Sequence, residues 1–160
     1  RSLDRQVEAG VAHALRAKTS FSVVVLDLDR LKEINDTFGH EAGDRAIRAD
    51  GDALRKTVRQ TDICARFAGD EFVVILWDYT PEHESRRVLD MQSAVSTQPF
   101  EPRPGVRVAL SISAGPARFP EDGTTFEELQ AVADERMYRD KARRRSLSAA
   151  RRSAVELKAV

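Results

Sequence analysis

The sequence has few of the residues that mark several classes of protein. It contains one cysteine, Cys64, so an internal disulfide is impossible, and its three histidines lack the spacing of a structural zinc site. Eight glycines and six prolines among 160 residues are too few for a collagen-like or low-complexity chain. The 26 basic side chains cancel 26 acidic ones, so we expect no nucleic acid partner. These absences indicate an ordinary globular domain of a reducing compartment.

Long apolar runs are also absent from the sequence. The longest runs, such as 21–26, fall well below the roughly 20 residues that a membrane-spanning helix requires. With 41% hydrophobic residues, the chain is long enough for one domain with a buried core. We therefore expect a cytoplasmic location, either free or as the cytoplasmic part of a longer, membrane-anchored protein.

Hydrophobic periodicity predicts the order helix, strand, helix, hairpin, helix, strand, helix. The β-branched run at 21–26 is typical of a central strand, and the runs at 63–67 and 71–77 predict a hairpin. A last strand is predicted at 106–114. The four helices of this order are predicted at 3–15, 42–58, 81–96 and from 124 or 125 onward, and a short helical stretch at 31–34 precedes the second of them. This order predicts an α/β (α+β) fold of ferredoxin-like type, with a mixed sheet flanked by helices.

The composition changes near the end of the chain. After residue 146, large apolar residues become rare although the segment still favours helix. We predict a domain over 1–146 and a linker helix over 147–160. A frayed tail explains the same composition equally well.

Two pairs of acidic residues lie at predicted strand ends. Asp27 and Asp29 end the first strand, where side chains two residues apart point to the same face. Asp70 and Glu71 begin the second strand of the hairpin. Carboxylates gathered at a sheet edge repel one another unless a cation or a proton intervenes, and hard oxygen ligands suit Mg²⁺. The alternative interpretation is that these residues only cap a helix and form a hairpin turn.

Between these pairs, Asn35 and Asp44 offer one amide and one carboxylate. An amide can donate to guanine O6, and a carboxylate can accept from guanine N1–H and N2–H₂. Turns and caps have similar compositions, so the spacing alone leaves both interpretations open.

Four motifs, in order along the chain, make a specific resemblance. The segments 27–44, 66–72, 111–115 and 133–141 strongly resemble the GGDEF domain of diguanylate cyclases, with the signature in the variant form Ala-Gly-Asp-Glu-Phe at 68–72. The segment after residue 147 resembles the helix that leads into an EAL phosphodiesterase domain in GGDEF-EAL composite proteins.

The resemblance implies a palm-type, nucleotidyl-cyclase-like fold and an Mg²⁺-dependent (or Mn²⁺-dependent) homodimer that condenses two GTP into cyclic di-GMP, releasing pyrophosphate. It implies metal binding by Asp27, Asp70 and the Leu28 carbonyl, with Glu71 supporting the metal or deprotonating the attacking 3′-hydroxyl. By position, the resemblance also implies guanine contacts by Asn35 and Asp44, and a substrate-site turn at Ala68 and Gly69. It implies phosphate contacts by Lys32, Lys141 and Arg145. An inhibitory product site is implied at Arg59 and Asp62.

Some positions depart from the family pattern. Ala68 replaces the first signature glycine, and alanine would be strained there if the turn required a positive φ. Arg144 and Ser146 replace a glycine and an asparagine, and the Asp-x-Leu-Thr segment before the first helix is missing apart from Arg1. Two hypotheses follow: an active cyclase, or a weak GTP-binding or cyclic di-GMP-binding regulatory domain that controls an attached EAL domain, with sensory domains attached in either case.

Overall fold

The computed structural model describes residues 3–78 and 80–159, and the predicted helix cap Ser2 lies outside them. The described elements follow the predicted order. They are α1 (Leu3–Ala17), β1 (Phe21–Leu28), α2 (Leu31–Phe38), α3 (His40–Thr57), β2 (Ile63–Ala68), β3 (Glu71–Trp77), α4 (Pro81–Thr97), β4 (Ile112–Phe119) and α5 (Phe126–Ala159). Within these ranges no helix is long and apolar enough to cross a membrane.

The four strands form one sheet in the order β2-β3-β1-β4. The α+β class with helices flanking the sheet is confirmed, but the sheet is antiparallel in all three of its pairings rather than mixed. The physical reason is the strand order. Strands β1 and β2 run in the same direction, as do β3 and β4, but another strand always lies between the two members of each pair.

The two faces of the sheet are covered by different helices. Val24, Leu26 and Leu28 of β1 face a core shared with α2, α3 and α4. The alternate residues of β1, beginning with Phe21, face a second core built with α1 and α5. Because side chains alternate along a strand, the odd-numbered Asp27 lies on the α5 side of the sheet.

The predicted last strand is displaced along the chain. It was expected at 106–114, but β4 runs over Ile112–Phe119. Pro116 lies within β4 and is compatible with an edge strand, where the missing N–H leaves no ladder hydrogen bond unmade. Strand β4 lies at the sheet edge beside β1. The segment before it is a loop in which Val108 N donates to the Phe100 carbonyl at 3.0 Å.

The predicted helix starts are largely confirmed. Thr80 caps α4 by accepting from His83 N, with Pro81 in the first turn. Thr125, rather than Thr124, accepts from Glu128 N at 3.1 Å at the start of α5. Helix α5 runs without interruption to Ala159, so the linker helix over 147–160 and the boundary at 146 remain predictions.

Candidate active site at the end of the central strand

Lys141 of α5 reaches the oxygen atoms at the end of β1. Its Nζ lies 3.2 Å from Asp27 Oδ2, 3.5 Å from the Leu28 carbonyl oxygen and 3.8 Å from Asp29 Oδ1. Asp27, in β1, and Asp29, just after it, therefore both face Lys141, as the two-residue period of a strand predicts. The family resemblance implied a phosphate contact for Lys141, whereas in the structure its ammonium group contacts the acidic residues.

Asp29 is held by two serines that precede and begin β4. Ser111 Oγ donates to Asp29 Oδ2 at 2.6 Å and Ser113 Oγ donates to Asp29 Oδ1 at 2.5 Å. The Asp29 backbone N–H also donates to the Ser111 carbonyl at 2.8 Å. Both carboxylate oxygens thus accept from protein hydroxyls, which fixes Asp29 as a support beside Lys141 rather than as an open ligand.

Asp27 and Asp70 form the centre of the site. Leu28 N donates to the Asp70 carbonyl at 3.3 Å, which brings the hairpin turn against the end of β1. Burial, followed by a hydrogen bond with the Asp70 side chain, raises the pKa of Asp27 to about 7, although Lys141 acts in the opposite direction. A buried carboxyl group beside another acidic side chain is stabilised in its neutral form.

The donor set fits a magnesium ion. Asp27 Oδ1 is buried and accepts no hydrogen bond from the part of the chain that is described. The carboxylates of Asp27 and Asp70 and the Leu28 carbonyl are hard oxygen ligands, and Mg²⁺ usually takes only one or two protein carboxylates. No three acidic, histidine or cysteine side chains in the described ranges form a complete metal site. The remaining ligands would have to be water or phosphate oxygens.

Glu71 faces the same side of the sheet. It pairs directly with Asp27 across β1 and β3, so the two side chains project to one face. Burial raises the pKa of Glu71, and the charges of Asp134 and Asp70 raise it further. A carboxylate in this environment is a better proton acceptor than an exposed glutamate.

The hairpin tip accommodates the variant signature. Strand β2 ends at Ala68 and β3 begins at Glu71, so the connecting residues are Gly69 and Asp70. Gly69 has a φ of +51°, but Ala68 is not among the residues with positive φ. The strain anticipated for alanine at this position is therefore absent from its backbone. Arg66 Nε donates to the Gly69 carbonyl at 2.7 Å and fixes the turn.

The two expected guanine-binding residues lie near each other. Asn35 is half-buried on α2, and its amide oxygen lies over Gly43 of α3, the residue before Asp44. The Asp44 side chain is exposed. Helices α2 and α3 thus place an amide and a carboxylate on adjoining surfaces.

The other expected phosphate-binding residues lie farther out. Lys32 is exposed in the first turn of α2, which begins two residues after Asp29, and Arg145 is exposed one turn beyond Lys141. Among the described residues, neither forms an ion pair with the acidic group at the end of β1. The structure therefore brings Lys141, but neither Lys32 nor Arg145, into contact with these carboxylates.

Asp140 anchors the helix that carries Lys141. Its Oδ2 atom accepts three hydrogen bonds, from Gln92 Nε2 at 2.9 Å, from Ala114 N at 3.0 Å and from Arg144 Nε at 3.1 Å. The arginine that replaces the family glycine is thus bound to the preceding turn of its own helix. The network ties α5 to α4 and β4 immediately beside Lys141.

The expected product site lies at the opposite end of the sheet. Arg59 N donates to Asp62 Oδ2 at 3.0 Å, the Arg59 guanidinium lies 3.3 Å from Asp62 Oδ1, and Trp77 N donates to the same oxygen at 3.3 Å. The Asp62 side chain is 0% exposed, whereas that of Arg59 is 49% exposed. In this structure Asp62 stabilises the turn, and Arg59 is the member of the pair that a ligand can reach.

One buried acidic residue was not recognised from the sequence. Asp50 of α3 is fully buried, and neither carboxylate oxygen has a hydrogen-bond partner among the described residues. Burial raises its pKa to about 8, and the charges of Asp29, Asp70 and Asp27 add to the effect. The available signal was its position in the apolar stripe of α3, between Ala46 and Leu54 at four-residue spacing.

Comparison with known proteins gives a consistent family assignment. The family model described as "Diguanylate cyclase, GGDEF domain" matches residues 1–147. The chain is 37% identical over 136 residues to the diguanylate cyclase DosC of Escherichia coli K12, covering 85% of this chain but 29% of DosC. The chain therefore spans less than a third of that relative.

Solved structures share the fold. The GGDEF domain of PA1120 (YfiN or TpbB) from Pseudomonas aeruginosa superposes with a TM-score of 0.82 at 30% identity, covering 88% of this chain and 87% of that one. The GGDEF domain of DgcB from Caulobacter crescentus, solved in complex with c-di-GMP, gives 0.79 at 25% identity, covering 87% and 82%. Together with the site geometry, these similarities show that the chain belongs to the GGDEF domain family of diguanylate cyclases.

Proposed function

We propose that this domain condenses two molecules of GTP into cyclic di-GMP with release of two pyrophosphates. Each 3′-hydroxyl attacks the α-phosphorus of the other GTP, a new phosphoester bond forms, and the bond between the α- and β-phosphates breaks. Because one domain has one nucleotide site, two domains must face each other in an antiparallel homodimer. GTP as substrate also places the domain in the cytoplasm.

The observation that carries the proposal is the meeting of Asp27, the Leu28 carbonyl and Asp70 at one end of the sheet. Asp27 Oδ1 is buried with no hydrogen bond from the described residues, which is costly unless a ligand satisfies it. Bound Mg²⁺ or Mn²⁺ would neutralise charge on the α-phosphate and lower the pKa of the attacking hydroxyl. Glu71, whose pKa is raised by burial, would accept the hydroxyl proton.

The remaining side chains bind and orient the nucleotide. Asn35 donates to guanine O6 and Asp44 accepts from N1–H and N2–H₂. Lys32, Lys141 and Arg145 stabilise negative charge on the departing pyrophosphate. For Lys141, this role requires its ammonium group to leave the carboxylates and turn toward the phosphates.

A second candidate function is regulatory nucleotide binding without turnover, with the domain controlling an attached EAL domain. The contact of Lys141 with Asp27 favours it, because an internal cation already occupies an oxygen assigned to the metal. The two candidates share nucleotide binding and differ in product formation.

Calorimetric titration tests the nucleotide site. With Mg²⁺ present, we expect GTP to bind at least about tenfold more tightly than ATP, because adenine leaves the Asp44 carboxylate unpaired. The variant Asp27→Asn should weaken the metal-dependent part of GTP binding, whereas Asp52→Asn, at an exposed position of α3, should leave it unchanged. Equal affinities for GTP and ATP would overturn the proposed site.

A further inference from the structure

Gly43 lies against the Asn35 side chain at the contact between α2 and α3. A Cβ atom added to Gly43 would lie 1.8 Å from Asn35 Oδ1, 2.9 Å from Asn35 Cγ and 3.3 Å from Leu31 Cδ1. Distances of 1.8 and 2.9 Å are too short for any stable contact between these atoms. No residue with a side chain fits at position 43 while Asn35 keeps its place.

The backbone of Gly43 does not itself require glycine. The residue is buried within α3 and is not among the glycines with positive φ. Inside a helix, glycine costs about 1 kcal/mol relative to alanine. The contact with Asn35 is therefore the feature that favours glycine here.

The Asn35 backbone is fixed close to Gly43. Gly39 N donates to the Asn35 carbonyl at 2.8 Å, and Gly43 N donates to the Gly39 carbonyl at 3.2 Å. Two hydrogen bonds thus connect the end of α2 to the first turn of α3. An added Cβ would have to be accommodated by rotation of the Asn35 side chain, because its backbone has little freedom to move.

We infer that Gly43 is a positioning residue for guanine selectivity, an inference that rests on the proposed function. Its lack of a side chain lets the Asn35 amide oxygen lie over α3, which turns the amide NH₂ group away from that helix. The next residue carries the Asp44 carboxylate. Gly43 therefore sets the relative positions of the donor and the acceptor that bind the guanine edge.

The test uses Gly43→Ala, Asn35→Ala and the double variant, with Gly51→Ala as a matched control. Gly51 is also a buried glycine of α3, but the atoms nearest to its added Cβ would be Arg55 Nη1 at 3.1 Å, Phe72 Cε1 at 3.2 Å and Phe72 Cζ at 3.5 Å. Binding of GTP and of ATP is measured by calorimetry with Mg²⁺. Unfolding in urea is measured without nucleotide.

We expect Gly43→Ala to reduce the preference for GTP over ATP by about tenfold and to leave ATP affinity unchanged. The double variant should bind GTP no more weakly than Asn35→Ala, because both changes remove one interaction. In urea, the Gly43→Ala substitution should lower the free energy of unfolding when it is made in the parent protein. It should not lower it when it is made in the Asn35→Ala variant. Gly51→Ala should keep the preference for GTP.

Different results would overturn the proposed function and the role of Gly43. A parent protein that does not distinguish GTP from ATP overturns the proposed function, and this inference with it. A parent that prefers GTP, with Gly43→Ala keeping that preference, overturns the role of Gly43 alone. Additive losses of stability in the urea experiment also overturn it, since they would show that residues 35 and 43 do not interact.

Discussion

The ammonium group of Lys141 lies 3.2 Å from Asp27 Oδ2, on a carboxylate that we assign to the metal. The same ammonium group is 3.5 Å from the Leu28 carbonyl oxygen, a second assigned ligand. The proposed divalent cation would therefore compete with this lysine of α5 for the same oxygen atoms. In the proposed mechanism, metal binding would be linked to movement of Lys141 toward the phosphates.

This competition predicts opposite effects of one substitution. In Lys141→Met, Mn²⁺ should bind more tightly in the absence of nucleotide at pH 8.5, because a positive charge beside the ligands is removed and protons compete less at high pH. GTP turnover should fall at least about tenfold, because a phosphate-binding cation is lost. Electron paramagnetic resonance of free Mn²⁺ measures the first effect.

Arg139→Met is the control for loss of a basic residue from α5. Arg139 is exposed and pairs with Glu135 on its own helix. It should change neither Mn²⁺ affinity nor turnover. Weaker Mn²⁺ binding by Lys141→Met than by the parent would show that the lysine supports the metal instead of competing with it.

The raised pKa of Asp50 leads us to expect that the free energy of unfolding depends on pH. Its pKa is raised from 3.8 to about 8, so the folded protein retains a proton that the unfolded chain releases over this range. The contribution of Asp50 to the free energy of unfolding therefore falls as the pH rises from about 4 to 8. Asp50→Asn cannot ionise, so its stability relative to the parent should increase with pH across this window.

Urea unfolding of the nucleotide-free protein at a series of pH values measures this difference. Asp52→Asn is the matched control, because Asp52 lies two residues away but is exposed. Its stability should follow the parent at every pH. A constant difference between Asp50→Asn and the parent would show that Asp50 is ionised in the folded state.

We expect Arg59 to bind cyclic di-GMP, the product of the proposed reaction, at the far end of the sheet. The Arg59 side chain is half exposed, whereas Asp62 is buried in contacts with the backbone of Arg59 and Trp77. Arg59→Ala should therefore remove cyclic di-GMP binding and leave GTP binding unchanged, because guanidinium charge and geometry are lost.

Trp77 provides the signal for this measurement. It is the single tryptophan of the chain, and its carbonyl oxygen accepts a hydrogen bond from the Arg59 guanidinium. Cyclic di-GMP should change the tryptophan fluorescence of the parent and of Arg55→Ala, an exposed control on α3. If Arg59→Ala gives the same titration as the parent, the tetrapeptide 59–62 is only a turn.

The sequence was most informative where one strand or one turn determines the geometry. Asp27 and Asp29 were predicted to share a face from the two-residue period of β1, and Lys141 contacts both. The hairpin followed from two apolar runs around a short polar turn. The displacement of β4 could not be foreseen in the same way, because Pro116 is tolerated only at a sheet edge and strand order is a property of the whole fold.

Contacts between distant segments were missed for a similar reason. Ser111 and Ser113 meet Asp29 only because β4 lies beside β1, and no local pattern reports that neighbour. Asp50 did carry a local signal, as an acidic residue within an apolar stripe. Its proximity to Asp29 and Asp70 depends on how α3 packs under the sheet.

The most direct test of the proposed cyclase activity is formation of cyclic di-GMP from GTP and Mg²⁺ at a series of protein concentrations. We predict two pyrophosphates for each cyclic di-GMP and an initial rate per chain that rises with protein concentration, because two domains must meet. Asp27→Asn should form no product, and Asp52→Asn should match the parent. If the protein binds GTP and Mg²⁺ but forms no cyclic di-GMP at any protein concentration, the proposed cyclase activity is contradicted.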